Sequence, residues 1–141
     1  MTAYTLGFIF DKELSRVLLI YKQRPDWQKG RLNGVGGKIE QEEQSLACIV
    51  REVGEETGLQ TTAEEWICVG EIKSNSYRVD VYARVHRGEL SDALTVTDEE
   101  IEWCTVDELP GEVLPNLHWL IPLALDKIKN DTFTRFSVFY P

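Results

Sequence analysis

Apolar and polar residues along this chain change period several times, and each change marks an element. Tyr77, Val79, Val81, Ala83 and Val85 recur at every second position, the pattern of a strand with one buried face. Tyr4–Phe10 and Val17–Arg24 are apolar runs on either side of a turn at Asp11–Ser15 and predict a hairpin. Val69–Lys73 and Ile101–Val106 predict further strands, and Thr132–Phe139 a last one. Ser45–Thr57 and Leu117–Asn130 predict helices, with Pro122 confined to the early turns of the second. Pro25–Arg31 and the acidic His86–Glu100 predict loops. The run Asn33-Gly34-Val35-Gly36-Gly37 is predicted to form no regular element. This order predicts an α+β fold with a mixed sheet between helices. With no repeat and no Pro/Gly/Ser-rich linker, residues 1–141 are expected to form a single domain.

Charge narrows the partners. A net charge of −9 argues against duplex nucleic acid, which needs a basic face to neutralise phosphates. The same charge serves solubility, and an acidic protein that handles phosphates recruits a cation. Cys48, Cys68 and Cys104 are scattered without C-x-x-C spacing, which predicts free thiols in a reducing compartment and no zinc site. The opening MTAYTLGFIFDKE lacks a basic n-region and a cleavage site, so no signal peptide is expected. No apolar run approaches the ~20 residues of a membrane span, and the cytoplasm is the expected location.

Chemistry concentrates on the first helix. At 100° per residue, Leu46, Ile49, Val50, Val53 and Thr57 share a face expected to pack on the sheet. Glu52, Glu55 and Glu56 form a neighbouring stripe whose carboxylates can converge, and Arg51 can reach Glu55 at i+4. Three carboxylates ~6 Å apart repel by roughly 3 kcal/mol per pair at an effective dielectric of 20. Protons or cations must neutralise them, and all-oxygen donors suit Mg²⁺ or Mn²⁺. Taken alone, such a stripe can also be a solvated acidic face. Gly58 stands where a helix end takes a left-handed residue.

The segment Gly37–Leu59, GKIEQEEQSLACIVREVGEETGL, sets Gly37, Glu43, Arg51, Glu52, Glu55, Glu56 and Gly58 in one frame with aliphatic Val53 and Leu59. Chance produces such a frame on the order of once in a billion starting positions. It resembles the Nudix box, G-x5-E-x7-R-E-U-x-E-E-x-G-U with U aliphatic, at every specified position. The resemblance implies an α/β/α sandwich over most of the chain and hydrolysis of a nucleoside diphosphate linked to another group. It implies the Gly37 carbonyl, Glu52, Glu55 and Glu56 as ligands of Mg²⁺ or Mn²⁺. Lys38 falls near the phosphates, and Glu43 and Arg51 pair to support the loop–helix geometry. Members of the family differ over the general base, for which Glu52, Glu56 and a loop glutamate are candidates. Glu99 best matches that loop residue, as a catalytic and metal-binding group. Asp98 and Glu100 are its rivals, and a plain acidic loop is the alternative.

Two further runs, Gly30-Arg31-Leu32-Asn33-Gly34-Val35-Gly36-Gly37-Lys38 and Leu114-Pro115-Asn116, resemble the MutT-type branch of oxidised-purine triphosphatases. That implies cleavage of a nucleoside triphosphate such as 8-oxo-dGTP to a monophosphate and pyrophosphate. Asn33, Gly36, Lys38 and Asn116 would then bind substrate. Asn33 can equally be a turn residue and Asn116 a helix N-cap. Trp103, Trp119 and Tyr4 can line a base pocket or belong to the core, and Trp27 can cover a ligand or simply pack. Tyr77 stands where some dinucleoside polyphosphate hydrolases carry a tyrosine, which keeps that activity as an alternative. Ser74 replaces a proline common in ADP-ribose hydrolases. A non-catalytic nucleotide-binding module would be expected to lose box carboxylates, and here all are present.

Overall fold

The structure is a computed structural model describing residues 1–141. The chain runs β1 (Thr2–Asp11), β2 (Arg16–Tyr21), β3 (Leu32–Asn33), β4 (Val35–Lys38), α1 (Ser45–Thr57), β5 (Ile67–Lys73), β6 (Tyr77–His86), β7 (Ile101–Thr105), α2 (Leu117–Asn130) and β8 (Phe136–Phe139). One mixed sheet takes all eight strands in the order β3-β2-β1-β6-β5-β8, with β4 paired to β1 and β7 to β2. β1 is central. It runs parallel to β6 along its whole length, while its other edge pairs with β4 through Tyr4–Gly7 and with β2 at Ile9 and Phe10. The predicted hairpin is therefore present, and Asp11 closes it by accepting the N–H groups of Ser15 and Arg16 at 2.8 and 3.0 Å.

Period two divides the core between the two faces of the sheet. Leu6, Phe8, Phe10, Val17, Leu19, Val81 and Ala83 face α2, which buries Leu117, Leu120, Ile121 and Ala124 among them. Ile9, Leu18, Val35 and Tyr82 face α1, which contributes Ile49 and Val53. Burying each such side chain stabilises the fold by about 1.5–3 kcal/mol. No helix is long and apolar enough to cross a membrane.

Two expectations need correction. The glycine-rich run is not irregular: Val35–Lys38 is strand β4, in register with β1 from Tyr4↔Lys38 to Gly7↔Val35. Glycine carries no strand propensity, but its missing side chain is what allows this pairing. A Cβ on Gly36 would lie 2.1 Å from the Thr5 carbonyl oxygen. The second correction concerns the face of α1. Leu46 is 37% exposed, and Cys48 is fully buried in its stead. The buried arc is Cys48, Ile49, Val53, Glu56 and Thr57, so the helix is rolled toward Cys48 and carries Glu56 inward. Ser45 fixes that roll from the first turn, donating to Asp80 at 2.7 Å and accepting from the Tyr82 hydroxyl at 2.8 Å. Gly58 ends the helix at φ 76°, as its position predicts.

Gly36→Ala is expected to destabilise the protein by about 3 kcal/mol, because the added methyl meets backbone rather than a side chain that can move. Gly111→Ala, with nothing within 4 Å of its Cβ position, is expected to be silent. Urea denaturation of the two variants checks the contrast.

Candidate active site

α1 and β4 together build an acidic centre. Rolling the helix inward puts Glu52 and Glu56 in its interface with β4, while Glu55 stays 57% exposed at the rim, bridged to Glu52 by Arg51 Nη1. No three His, Cys, Asp or Glu side chains stand as a ready-made cage. Glu56 accepts the Gly36 N–H at 3.2 Å and lies beside Glu52. Burial pushes the Glu56 carboxyl well above the ordinary glutamate range, and the charges of Glu52 and Glu99 push it further, against an opposing pull from Lys22. The carboxylate of Glu52 lies directly on Gly37, where a Cβ would sit 2.5 Å from Oε1. Only a glycine admits it there.

Arg51 organises the rim. Its Nε and Nη2 donate to the two oxygens of Glu43 at 2.7 and 3.0 Å, a bidentate pair. That pairing, with the Glu40 N–H donating to Glu43, holds the Glu43 carboxyl down to about 2. Nη1 reaches Glu52 at 3.0 Å and Glu55 at 3.3 Å, and Nη2 reaches the Lys38 carbonyl at 3.2 Å. One guanidinium thus ties the end of β4, the loop before α1 and two box glutamates. Lys38 itself is exposed.

Glu99 arrives from the loop before β7 and is buried, its side chain only 7% exposed. Its Oε2 accepts the backbone N–H groups of Gln23 and Arg24 at 2.6 and 3.3 Å, and the Lys22 ammonium stands 3.4 Å from Oε1. Of the rivals, Asp98 is exposed and paired with Arg24 at 2.5 Å, and Glu100 is exposed, its carbonyl accepting the Tyr21 N–H. Lys22 is a site residue with no motif of its own in the sequence. Its signal is parity: it follows Leu18 and Ile20 at period two and so emerges on the α1 side of the sheet. A divalent ion bound to Glu99 Oε1 at about 2.1 Å would lie within about 5.5 Å of that ammonium. At an effective dielectric of 20 the two would repel by at least roughly 6 kcal/mol.

The nucleotide-side candidates separate. Asn33 is a strand residue of β3, paired with Ile20, its Oδ1 accepting the Gly34 N–H at 2.8 Å and its Nδ2 donating to Gln28 at 3.2 Å. Asn116 occupies the N-cap position of α2 but makes no side-chain cap bond, and its Oδ1 is buried with no partner. Trp103 belongs to the framework: its indole N–H donates to the Leu90 carbonyl at 3.0 Å and its ring stacks on His86. Trp119 packs edge-on against Phe136. Tyr4 is 38% exposed and Trp27 is 72% exposed. Tyr77 is part of the α2-side core, across the sheet from the carboxylates.

Buried Glu56 and partly buried Glu52 lie beside a glycine strand with Arg51 bracing the helix, and a model of the NUDIX domain matches residues 2–123. The chain belongs to the NUDIX family. It is a Nudix hydrolase, of a class that acts on nucleoside diphosphate derivatives. Solved structures share its fold. The MutT protein of Bacillus halodurans superposes with a TM-score of 0.70 at 20% identity, over 99% of this chain and 90% of that one. The NUDIX domain of Shewanella oneidensis NrtR, solved with ADP ribose, superposes with 0.72 at 15% identity, over 90% and 88%. A MutT/nudix protein of Enterococcus faecalis matches with 0.64 at 18% identity over 74% of this chain, which spans only 43% of its length. No curated protein matches the sequence.

The donors present fit a hard divalent cation, since Glu52 and Glu56 offer oxygen alone and burial disfavours the charged form of Glu56 unless a further positive charge joins it. Stability should report it. A folded-state carboxyl held above its unfolded value contributes stability that is complete below the unfolded value and lost as pH rises through the folded one. Chelator-treated protein is therefore expected to lose melting temperature between pH 5 and weakly alkaline pH. Glu56→Gln flattens that slope, and Mg²⁺ restores the loss at the alkaline end. Scanning calorimetry across pH checks all three.

Proposed function

We propose that this Nudix hydrolase is a Mg²⁺- or Mn²⁺-dependent pyrophosphohydrolase of nucleoside triphosphates, yielding nucleoside monophosphate and pyrophosphate. An oxidised purine triphosphate such as 8-oxo-dGTP is its preferred substrate. The observation that carries the reading is the Glu52–Glu56 carboxyl pair pressed against Gly36 and Gly37. The Gly37 carbonyl, Glu52, Glu55 and Glu56 would hold the ion, which draws charge from phosphoryl oxygens and lowers the pKa of bound water. The carboxyl pair accepts the proton of the attacking water. Arg51 keeps Glu52 and Glu55 in place, and Lys38 at the open end of β4 offers positive charge to the phosphate chain.

Asn116 supports a purine. A buried acceptor without a donor costs about 1–3 kcal/mol, and a base N–H would satisfy it. Asn33 would join as a second reader by exchanging Gln28 for the base. The cytoplasm, with its nucleotide pool, is the proposed location.

A panel of 8-oxo-dGTP, ordinary dNTPs, Ap4A and ADP-ribose with Mg²⁺ tests this directly. Monophosphate and pyrophosphate should form fastest from the oxidised purine. Turnover of Ap4A alone would overturn the assignment, and nucleotide binding without product would make the chain a binding module. Glu55→Gln and Glu56→Gln should each lower kcat at least a hundredfold with an unchanged circular dichroism spectrum.

A further inference from the structure

Glu99 has an arrangement unlike that of the other acidic residues at the site. Of the glutamates on α1, Glu52 and Glu55 share one guanidinium, Arg51, and Glu56 takes a single backbone N–H. Glu99 instead turns inward and meets only donors: two successive backbone N–H groups, of Gln23 and Arg24, on one oxygen, and the Lys22 ammonium on the other. The Arg24 guanidinium adds a contact at 3.8 Å. Its own loop is braced to hold it there, with the Glu99 N–H donating to Thr97 Oγ1 at 3.0 Å and the Ile101 N–H to Thr95 Oγ1 at 3.1 Å. Outside, Arg24 and Asp98 form a second, exposed clasp between the same two loops.

What the clasp holds is the segment from Lys22 to Gly30. Its two ends meet, since the Gly30 N–H donates to the Lys22 carbonyl at 2.8 Å. Trp27 projects from it into solvent, and it leads through Arg31 and Leu32 into Asn33 and the glycine strand. A loop tethered at its base by one buried carboxylate takes its orientation from that carboxylate.

We propose that Glu99 is a positioning residue rather than an ion ligand or general base. It fixes the base of the Lys22–Gly30 loop, so that the loop and the Lys22 ammonium engage the substrate. The proposal rests on the site being that of a nucleotide hydrolase, and it departs from the ligand role that the box resemblance implies for this glutamate. Two features favour it. Both oxygens of Glu99 already serve the protein's own donors. An ion at Oε1 would have to displace a cation, Lys22, that is itself mostly buried, with 15% of its side chain exposed. Glutamine has an oxygen that can take the two backbone N–H groups, whereas alanine has none.

The test compares Glu99→Ala, Glu99→Gln and wild type, each first shown to unfold cooperatively. Mn²⁺ binding without nucleotide, followed by electron paramagnetic resonance, should change less than threefold in both variants. Glu99→Ala should raise the nucleotide KM at least tenfold with a much smaller effect on kcat, and Glu99→Gln should recover most of that KM. Trypsin should cut Glu99→Ala at Lys29 at least tenfold faster than wild type, with Glu99→Gln close to wild type. A tenfold loss of Mn²⁺ affinity in Glu99→Gln, or a hundredfold fall in its kcat at saturating nucleotide, overturns the proposal. If Glu99→Ala does not fold, the Mn²⁺, kcat and trypsin results for Glu99→Gln decide alone. If wild type turns over no nucleotide, the functional reading fails, while Mn²⁺ binding and proteolysis still decide what Glu99 holds.

Discussion

The close contact between α1 and the glycine strand β4 is the constraint on which the remaining structure depends. Gly36 lets β4 lie within reach of the Thr5 carbonyl, and Gly37 lets the Glu52 carboxylate rest on the strand. At Gly36 a side chain would meet backbone, and at Gly37 it would displace the Glu52 carboxylate. β4 is pinned to β1, and α1 packs on both strands. Ser45 at one end and the left-handed Gly58 at the other fix the rotation of α1 about its axis. The acidic centre is thus a product of backbone proximity, and its electrostatic strain is the cost of bringing two carboxyl groups into a dry interface.

Labour is divided between the faces of the sheet. On the α1 side lie the carboxyl pair, the Arg51 brace, Lys22 and the buried Glu99. On the α2 side the larger apolar cluster carries most of the packing, and α2 begins at an asparagine whose oxygen lacks a partner. β2 and β7 join these regions, because the end of β2 leads into the clasped loop and β7 begins just after Glu99.

Much of this is legible in the amino-acid sequence, and what is not has identifiable physical reasons. Both helices fall where their periodicity and end residues put them, Ser45–Thr57 and Leu117–Asn130. β6 follows its alternation of Tyr77 through Val85. The box frame identifies the chemistry because its spacing is too specific for chance. β4 is not legible, because strand propensity measures side chains and this strand works through their absence. The roll of α1 is not legible either. Leu46 and Cys48 are both apolar, and the choice between them is made by Asp80 and Tyr82, more than thirty residues away in sequence. Lys22 escapes notice for a similar reason, since a lone lysine at a strand end gains meaning only from Glu99, brought beside it by the pairing of β2 with β7.

The C-terminal strand lies beyond the family-matched region, which ends at residue 123, yet it is tied in firmly. β8 pairs in parallel with Gly70–Lys73, the Tyr140 N–H bonds the Lys73 carbonyl, and Lys127 holds the Phe133 carbonyl from α2. Without it, seven-residue β5 would present an open row of amides and carbonyls at the margin of the sheet. With it, the margin is a four-residue strand running into a proline. Short margins of this kind are poor templates for another chain, so the tail acts as a guard against self-association through cross-strand aggregation.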